Sequence, residues 1–329
     1  NSDLYFSTAR ELRAKFDARE ISSVEATRTI LDRIAALEPK LNTFITVTAD
    51  RAIADAEIAD QRLHGTGQEP TALTGVPIML KDNFSTKDVE TTAASNILKG
   101  YIPPYDGTAV RNLKDAGAVI LGKGNLDEFA MGSSNETSAF GPVHNPWDTD
   151  RVPGGSSGGA SAAVAAGECF IAFGSDTGGR IRQPASLCGV VGMKPTYGLV
   201  SRFGLLAFGS SLDQIGPLTR SVADCADALN IVSSHDRRDS TSVAAPFTDF
   251  GQNIDRGVEG MNIGVPKEYL VDGMESGVRA AFEASLKTLE DLGANISEIS
   301  LPLTDHALAV YYIIAPSEAS ANLSRYAGV

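Results

Sequence analysis

Two glycine-rich segments hold the residues whose types and spacing best suit chemistry. Residues 154–159 read Gly-Gly-Ser-Ser-Gly-Gly, and residues 174–180 read Gly-Ser-Asp-Thr-Gly-Gly-Arg. Because glycine lacks a Cβ atom, the backbone of such segments passes close to a ligand and points N–H groups into a pocket. Backbone N–H groups arranged in this way form an oxyanion hole for acyl transfer. The alternative is that both segments are tight turns required only for packing.

Two other motifs resemble known sites but fail in detail. Residues 117–123 have the G-x-x-x-x-G-K spacing of a phosphate-binding loop, but Gly124 stands where Ser or Thr would hold magnesium. Residues 155–159 match the G-x-S-x-G of a nucleophile elbow, but the preceding residues 145–153 are unsuited to the strand that an elbow requires. We therefore expect neither a nucleotide site nor an elbow.

The histidines and cysteines show no catalytic or metal-binding pattern. The four histidines are scattered without an obvious acidic partner, which argues against a Ser-His-Asp triad and a histidine metal site; they are His64, His144, His235 and His306. The three cysteines lack metal-ligand spacing and are expected to be buried thiols of a reducing compartment; they are Cys169, Cys188 and Cys225. We expect no metal and no organic cofactor.

Charge and hydropathy patterning exclude two further classes of protein. The net charge of −13 argues against direct nucleic-acid binding, because neutralising phosphates needs clustered Lys and Arg. No run of about 18 apolar residues is present, so we expect no membrane span. The interpretation that fits best is a cytoplasmic protein.

Short apolar runs bounded by Gly, Pro, Asn and Asp predict buried strands. They lie at 76–80, 118–121, 169–173, 263–265 and 296–301. A helical apolar pattern over 278–292 closes at Gly293, between the last two runs. This strand–helix–strand order predicts an α/β fold in which helices cover the sheet.

The flanking segments are predicted to be helices and a loop. Ser22 and Glu25 form a capping-box pattern at the start of a helix that Pro39 is expected to end. Residues 1–60 are therefore predicted to be helices packed on a larger body. The polar stretch 233–251 is predicted to be a long surface loop rather than a domain boundary.

The glycine-rich segments and several further motifs together resemble the amidase-signature family. Within that family the chain most resembles the A subunits of tRNA-dependent glutamyl/aspartyl amidotransferases, which release ammonia from glutamine. The further motifs are 73–78 (LTGVPI), 81–82 (KD), 131–136 (MGSSNE), 145–147 (NPW), 194–198 (KPTYG), 211–217 (SLDQIGP) and 317–320 (SEAS). The resemblance implies one amidase-signature domain over 1–329, an α/β/α fold with a twisted mixed sheet covered by helices. The C-terminal part of the family fold is expected to be absent.

The resemblance also implies roles for individual residues. Lys81 matches the catalytic lysine, which acts as a base only when its pKa is lowered by burial or by nearby cations. Ser156 matches the serine, usually on a non-proline cis peptide, that relays the proton between lysine and nucleophile. The oxyanion hole corresponds to the backbone N–H groups of Thr177, Gly178 and Gly179. The substrate pocket corresponds to Met131, Ser157 and Tyr311.

Arg180 departs from the family pattern, because the family keeps its nucleophilic serine at this position. A guanidinium offers donors and positive charge but no lone pair for attack on a carbonyl. Three hypotheses follow. In the first, Ser156 becomes the nucleophile of a rewired hydrolase, and Arg180 lowers the pKa of Lys81 and helps to hold the oxyanion. In the second, the chain is an inactive binding or assembly protein; in the third, Arg180 is an engineered or accidental change in an ordinary glutaminase subunit.

The partners implied by this resemblance are of two kinds. A small-molecule amide or ester is the expected substrate. Companion amidotransferase subunits are the expected protein partners, and we expect no contact with nucleic acid except through such a partner.

Overall fold

The computed structural model describes residues 2–244 and 249–326, and the chain forms two compact units. The first unit comprises Asn1–Gly251 and Ser317–Val329, and the second comprises Gln252–Pro316. The single domain over 1–329 stays a prediction. Within the described residues, no helix combines the length and apolar character needed to cross a membrane.

The first unit contains a six-stranded sheet and most of the helices. Its helices are α1 (Ser2–Tyr5), α2 (Ala9–Asp17), α3 (Ser23–Leu41), α4 (Ala49–Leu63), α5 (Thr108–Asp115), α6 (Gly158–Ala166), α7 (Arg182–Cys188) and α8 (Val222–Val232). Its strands are β1 (Phe44–Val47), β2 (Pro77–Lys81), β3 (Val119–Gly124), β4 (Ile171–Asp176), β5 (Val191–Gly192) and β6 (Gln214–Thr219).

The sheet is mixed, with strand order β1-β3-β2-β4-β6-β5. The central strands β3, β2 and β4 are parallel, whereas β1, β6 and β5 pair antiparallel with their neighbours. Parallel strands end at the same edge of a sheet, so the residues that end β2 and β4, and those that follow β3, meet there. This edge brings Lys81 toward the two glycine-rich segments.

Helices cover both faces of this sheet. Every residue of β2, β3, β4 and β6 is buried, and successive side chains of a strand point to opposite faces. The continuous apolar runs that predicted β2, β3 and β4 agree with this burial on both faces, whereas β6 was not predicted from the sequence. The predicted α/β/α fold with a mixed sheet is confirmed, and the three cysteines are buried thiols as expected.

The N-terminal segment follows the prediction with two corrections. Ser22 and Glu25 form the predicted capping box of α3. The helix does not end at Pro39 but continues to Leu41, because the fixed φ of proline suits a helix and its missing N–H removes a single bond in the last turn. Asn42, with a φ of 53°, ends the helix. Residues 1–60 also contain β1, which the sequence pattern did not reveal and which extends the sheet beside β3.

The predicted loop over 233–251 is irregular where it is described, but it is anchored. The carboxylate of Asp236 is buried and accepts hydrogen bonds from the hydroxyls of Thr108 and Ser201. Residues 245–248 of this loop lie outside the described residues.

The second unit is a small α/β element. Strands β7 (Asn262–Pro266) and β8 (Asn295–Ile299) pair in parallel, and α9 (Ser276–Asp291) connects them. The predicted helix over 278–292 and the strands on either side of it are confirmed. Helix α10 (Thr304–Leu323) begins in this unit and, from Ser317, continues as part of the first.

Two carboxyl groups, the buried Glu168 and the half-buried Glu38, meet at Thr43 between the N-terminal helices and the sheet. The hydroxyl of Thr43 lies 2.8 Å from Glu168 Oε2 and 3.0 Å from Glu38 Oε2. A hydroxyl has one proton, so it donates to one carboxylate at a time, and the other contact needs a protonated carboxyl group. Burial, reinforced by Glu38, raises the pKa of Glu168 to about 8.

We predict that Glu168 makes stability depend on pH. Its folded-state pKa lies above that of an unfolded chain, so its stabilising contribution is complete below about pH 4.5 and is lost as the pH rises through about 8. Between pH 5 and pH 8, the unchanged protein should lose about 3 kcal/mol more unfolding free energy than Glu168→Gln, which has no carboxyl group to ionise at this position. Urea titrations at both pH values measure this difference. The exposed Glu57→Gln is the control, and parallel losses in all three proteins would contradict the prediction.

Candidate active site

Lys81 lies at the centre of the candidate site, at the carboxyl end of β2. Its side chain is fully buried. Its Nζ donates hydrogen bonds to three serine hydroxyls, at 2.7 Å to Ser156, 2.9 Å to Ser175 and 3.0 Å to Ser157. The structure therefore brings together residues from β2, the first glycine-rich segment and the end of β4.

The ionisation of Lys81 follows from this burial. Desolvation lowers the pKa of Lys81 to about 7, with Asp127 opposing this effect and Arg180 adding to it. Around pH 7 about half of the molecules therefore carry a neutral amine at this position. A neutral amine has the lone pair that a general base needs.

A second buried lysine shows what pairing with a carboxylate does. Lys123 Nζ lies 3.1 Å from Asp82 Oδ1, and both side chains are fully buried. It also donates to Phe84 O at 2.8 Å and Thr91 Oγ1 at 2.7 Å. Burial still lowers the pKa of Lys123, but Asp82 opposes the shift. Lys81 contacts hydroxyls instead of a carboxylate, and hydroxyls carry no negative charge to oppose the desolvation.

Close packing against buried loops determines the position of the first glycine-rich segment. The peptide bond between Gly155 and Ser156 is cis, as the family resemblance implied. A Cβ atom on Gly155 would lie 2.1 Å from Asp127 Oδ2, and one on Gly158 would lie 2.5 Å from Asn135 Oδ1. The glycines are therefore required for packing, and this same packing holds Ser156 beside Lys81.

Ser175 is a site residue that sequence reasoning missed. It is the next-to-last residue of β4, and its hydroxyl also accepts a hydrogen bond from Asn83 Nδ2 at 3.0 Å. Its place within the second glycine-rich segment was the available signal, but a serine at the end of a strand has no distinguishing pattern. Ser175 and Asn83 complete the polar lining around Lys81.

Asp176 organises the second glycine-rich segment. Its carboxylate accepts hydrogen bonds from Gly179 N at 2.7 Å, Ile181 N at 3.1 Å and Arg182 Nε at 3.2 Å. Burial alone would raise the pKa of Asp176, but these hydrogen bonds outweigh it and lower the pKa. The N–H of Gly179, assigned to the oxyanion hole by resemblance, is therefore engaged by Asp176 in this structure.

Thr177 and Gly178 lie where this turn passes from the interior to the surface. The hydroxyl of Thr177 donates to Asp213 Oδ1 at 2.6 Å, which fixes the orientation of the Thr177 side chain. Burial raises the pKa of Asp213, although Thr177 and the N–H groups of Phe208 and Gly209 counteract it by donating to the carboxylate. Thr177 is buried and Gly178 is exposed, so the turn runs from the interior to the surface.

Arg180 joins the two glycine-rich segments. Its backbone carbonyl accepts a hydrogen bond from Ser157 N at 3.2 Å, and its Nη1 donates to Gly178 O at 3.2 Å. The guanidinium carbon lies 5.5 Å from the centroid of the Phe208 ring, within the range of a cation–π contact. Its positive charge acts on Lys81, where it helps to lower the pKa as the first hypothesis requires.

The two remaining candidate residues lie on different parts of the fold. Met131 is half-buried, directly after a 3₁₀ turn (Glu128–Ala130) and before Gly132, whose backbone packs against Asp127. Tyr311 lies in the second unit, where its ring meets that of Tyr312 edge-on at 5.6 Å. Their roles in binding substrate stay predictions.

We predict that Gly155→Ala disrupts the site and the fold together. The added methyl group would overlap the Asp127 carboxylate, and overpacking of this kind costs about 1–3 kcal/mol or more. Thermal unfolding measures the loss. Gly277→Ala is the control, because a Cβ atom there meets nothing within 4 Å. Equal melting temperatures for the two variants would show that the close packing at Gly155 is wrong.

Comparison with known protein families gives one match that covers most of the chain. Residues 25–329 match the family model described as amidase. Among curated proteins, the chain is 54% identical over 327 residues to the A subunit of the glutamyl-tRNA(Gln) amidotransferase from Carboxydothermus hydrogenoformans, covering 99% of this chain and 67% of that protein.

Solved structures give the same result. The crystal structure of the A subunit of the glutamyl-tRNA(Gln) amidotransferase from Thermotoga maritima has a TM-score of 0.86 at 47% identity, covering 98% of this chain and 67% of that one. The native peptide amidase from Stenotrophomonas maltophilia has a TM-score of 0.89 at 35% identity, and the match covers 97% of this chain and 67% of that one.

Proposed function

The chain belongs to the amidase family, and we propose that it hydrolyses carboxylic amide bonds with Ser156 as nucleophile and Lys81 as base. The observation that supports this most strongly is the 2.7 Å contact between Lys81 Nζ and Ser156 Oγ, together with a lysine pKa of about 7. Arg180 has no nucleophilic atom, so the reacting hydroxyl must come from another residue.

In the first half of the reaction, neutral Lys81 accepts the hydroxyl proton of Ser156. The Ser156 oxygen then forms a bond to the carbonyl carbon of the amide, and the carbonyl oxygen becomes an oxyanion. The carbon–nitrogen bond breaks next, and the leaving nitrogen takes the proton from Lys81. The products of this half are free ammonia or amine and an acyl group on Ser156.

In the second half, water attacks the acyl group and Lys81 takes its proton. The bond between the acyl carbon and Ser156 oxygen breaks, and that oxygen recovers the proton from Lys81. The carboxylic acid is released and the site returns to its starting state. An ester would follow the same course with an alcohol as the leaving group.

A positive charge and several backbone N–H groups in the second glycine-rich segment are suited to stabilising the oxyanion. The candidates are the backbone N–H groups of Thr177 and Gly178 and the guanidinium of Arg180, which is itself supported by Phe208. Gly179 would join them only if Asp176 released its N–H. A donor of this kind contributes about 3–4 kcal/mol to the barrier in enzymes where it has been removed.

The relatives point to the substrates and partners to test. Because similar chains are named as amidotransferase A subunits and peptide amidases, we propose primary carboxamides, glutamine among them, as the substrate class. Met131 and Ser157 are the proposed substrate-binding residues of the first unit, and the role of Tyr311 in the second stays a prediction. We further propose that other amidotransferase subunits bind this chain, because the relatives are themselves named as one subunit of an amidotransferase.

We predict that hydrolysis depends on the ionisation of Lys81. Because only the neutral amine accepts a proton, kcat/KM should rise about tenfold per pH unit below pH 7 and level off above it. Lys81→Ala should lower kcat/KM about 10²–10⁴-fold and remove this pH dependence. Initial rates with a chromogenic amide between pH 5 and pH 9 measure both. A profile that keeps its inflection near pH 7 in Lys81→Ala would assign the titration to another group.

We predict that Ser156→Ala abolishes turnover, whereas Ser157→Ala reduces it less. The assay is a panel of chromogenic amides and esters, with glutamine, on the protein, both serine variants and Arg180→Ser. Activity of the protein that survives in Ser156→Ala would exclude Ser156 as nucleophile. If only Arg180→Ser is active, the chain is an inactive amidase-fold protein, and binding without turnover becomes the better account.

A further inference from the structure

The side chain of Gln183 forms hydrogen bonds with two segments, the one that contains Ser156 and the one that contains Ser133. Its Oε1 accepts a hydrogen bond from Gly155 N at 3.1 Å, and its Nε2 donates to Ser133 O at 2.9 Å. Gly155 directly precedes Ser156, and Ser133 lies two residues after Met131. One amide therefore contacts both the segment of the nucleophile and the loop proposed to line the substrate pocket.

The turn before Ser156 lies directly on the start of α7. A Cβ atom on Gly154 would lie 2.6 Å from Gln183 Oε1 and 2.7 Å from Pro184 Cα. Gly154 also has a φ of +83°, in the left-handed region that favours glycine. The backbone of this turn and helix α7 are therefore in contact, and Gln183 provides the hydrogen bond across that contact.

The other end of α7 is held by side chains of the 145–147 motif. Asn145 Nδ2 donates to Leu187 O at 3.0 Å, and Trp147 Nε1 donates to Cys188 O at 2.8 Å. Carbonyl groups at the end of a helix lack partners within the helix, so these two donors satisfy them. Trp147 makes this contact although 75% of its surface is exposed. Its contribution at this position is therefore the hydrogen bond from the indole N–H rather than burial of the ring.

We propose that Gln183 is a positioning residue that fixes Ser156 Oγ relative to Lys81 Nζ by holding the N–H of Gly155. This inference rests on the proposed function, because it gives Gln183 a role in that reaction. Asn145 and Trp147 act one step further away by immobilising the helix from which Gln183 projects. A displacement of about 1 Å at a reacting group costs about 10²-fold in rate, so a single hydrogen bond at this point has a measurable effect.

Two substitutions separate the hydrogen bonds of Gln183 from its bulk. Gln183→Met has a similar length and makes neither hydrogen bond, whereas Gln183→Glu keeps an oxygen that accepts from Gly155 N but loses the donor to Ser133 O. Gln183→Met should lower kcat about 10–100-fold and change KM less than about threefold. Gln183→Glu should recover part of kcat. The exposed Gln68→Met is the matched control and should keep full activity.

Two measurements that do not depend on turnover accompany the kinetics. Trp147 is the single tryptophan of the chain, so its fluorescence reports on the end of α7, and an unchanged emission spectrum shows that the helix stays in place. Hydrogen exchange of the peptide covering 153–159 should be faster in Gln183→Met than in the unchanged protein and in Gln183→Glu.

The outcomes distinguish this inference from the proposed function. If the protein hydrolyses no amide but exchange at 153–159 still accelerates in Gln183→Met, the proposed function fails and the contact to Gly155 stands. If the protein is active, and Gln183→Met keeps both its kcat and its slow exchange, the positioning role of Gln183 is overturned. An equal loss of kcat in Gln183→Met and Gln183→Glu, with exchange unchanged in both, would also overturn it.

Discussion

The burial of one ammonium group among hydroxyls is the constraint on which the rest of the site depends. Lys81 cannot be hydrated at the end of β2, and the three serine hydroxyls around it offer hydrogen bonds without a compensating negative charge. Desolvation therefore favours its neutral form. Lys123 on β3 differs, because it forms a buried ion pair with Asp82, the residue that follows β2.

Buried carboxylates hold the loops that surround Lys81. Asp127 accepts the N–H of Asn135, Asp176 accepts that of Gly179, and Asp213 accepts that of Phe208. Loops need partners for their backbone N–H groups, and a carboxylate with two oxygens satisfies several at once. The same three charges raise the pKa of Lys81, which offsets part of the desolvation. Loop geometry and the basicity of the lysine are thus linked through the same side chains.

The fold and family were predictable because they depend on local sequence patterns. The contacts within the site, in contrast, join residues that are far apart in the sequence. Continuous apolar runs predicted the buried strands β2 and β4, and the motifs predicted an amidase-signature family member with an A-subunit likeness, which the comparisons confirm. The Lys81 hydrogen bonds to Ser156 and Ser175 span 75 and 94 positions, and no spacing rule predicts them. The engagement of Gly179 by Asp176 depends on the conformation of one turn, including a φ of +98° at Gly179, which composition does not specify.

Covalent labelling shows whether Lys81 activates Ser156. A fluorophosphonate probe reacts with an activated serine hydroxyl, and peptide mass spectrometry identifies the labelled residue. We expect one adduct per chain, on Ser156, and its loss in Lys81→Ala. Labelling of Ser157 or Ser175 with Ser156 unmodified would contradict it, and so would an unlabelled protein whose Arg180→Ser variant is labelled at position 180.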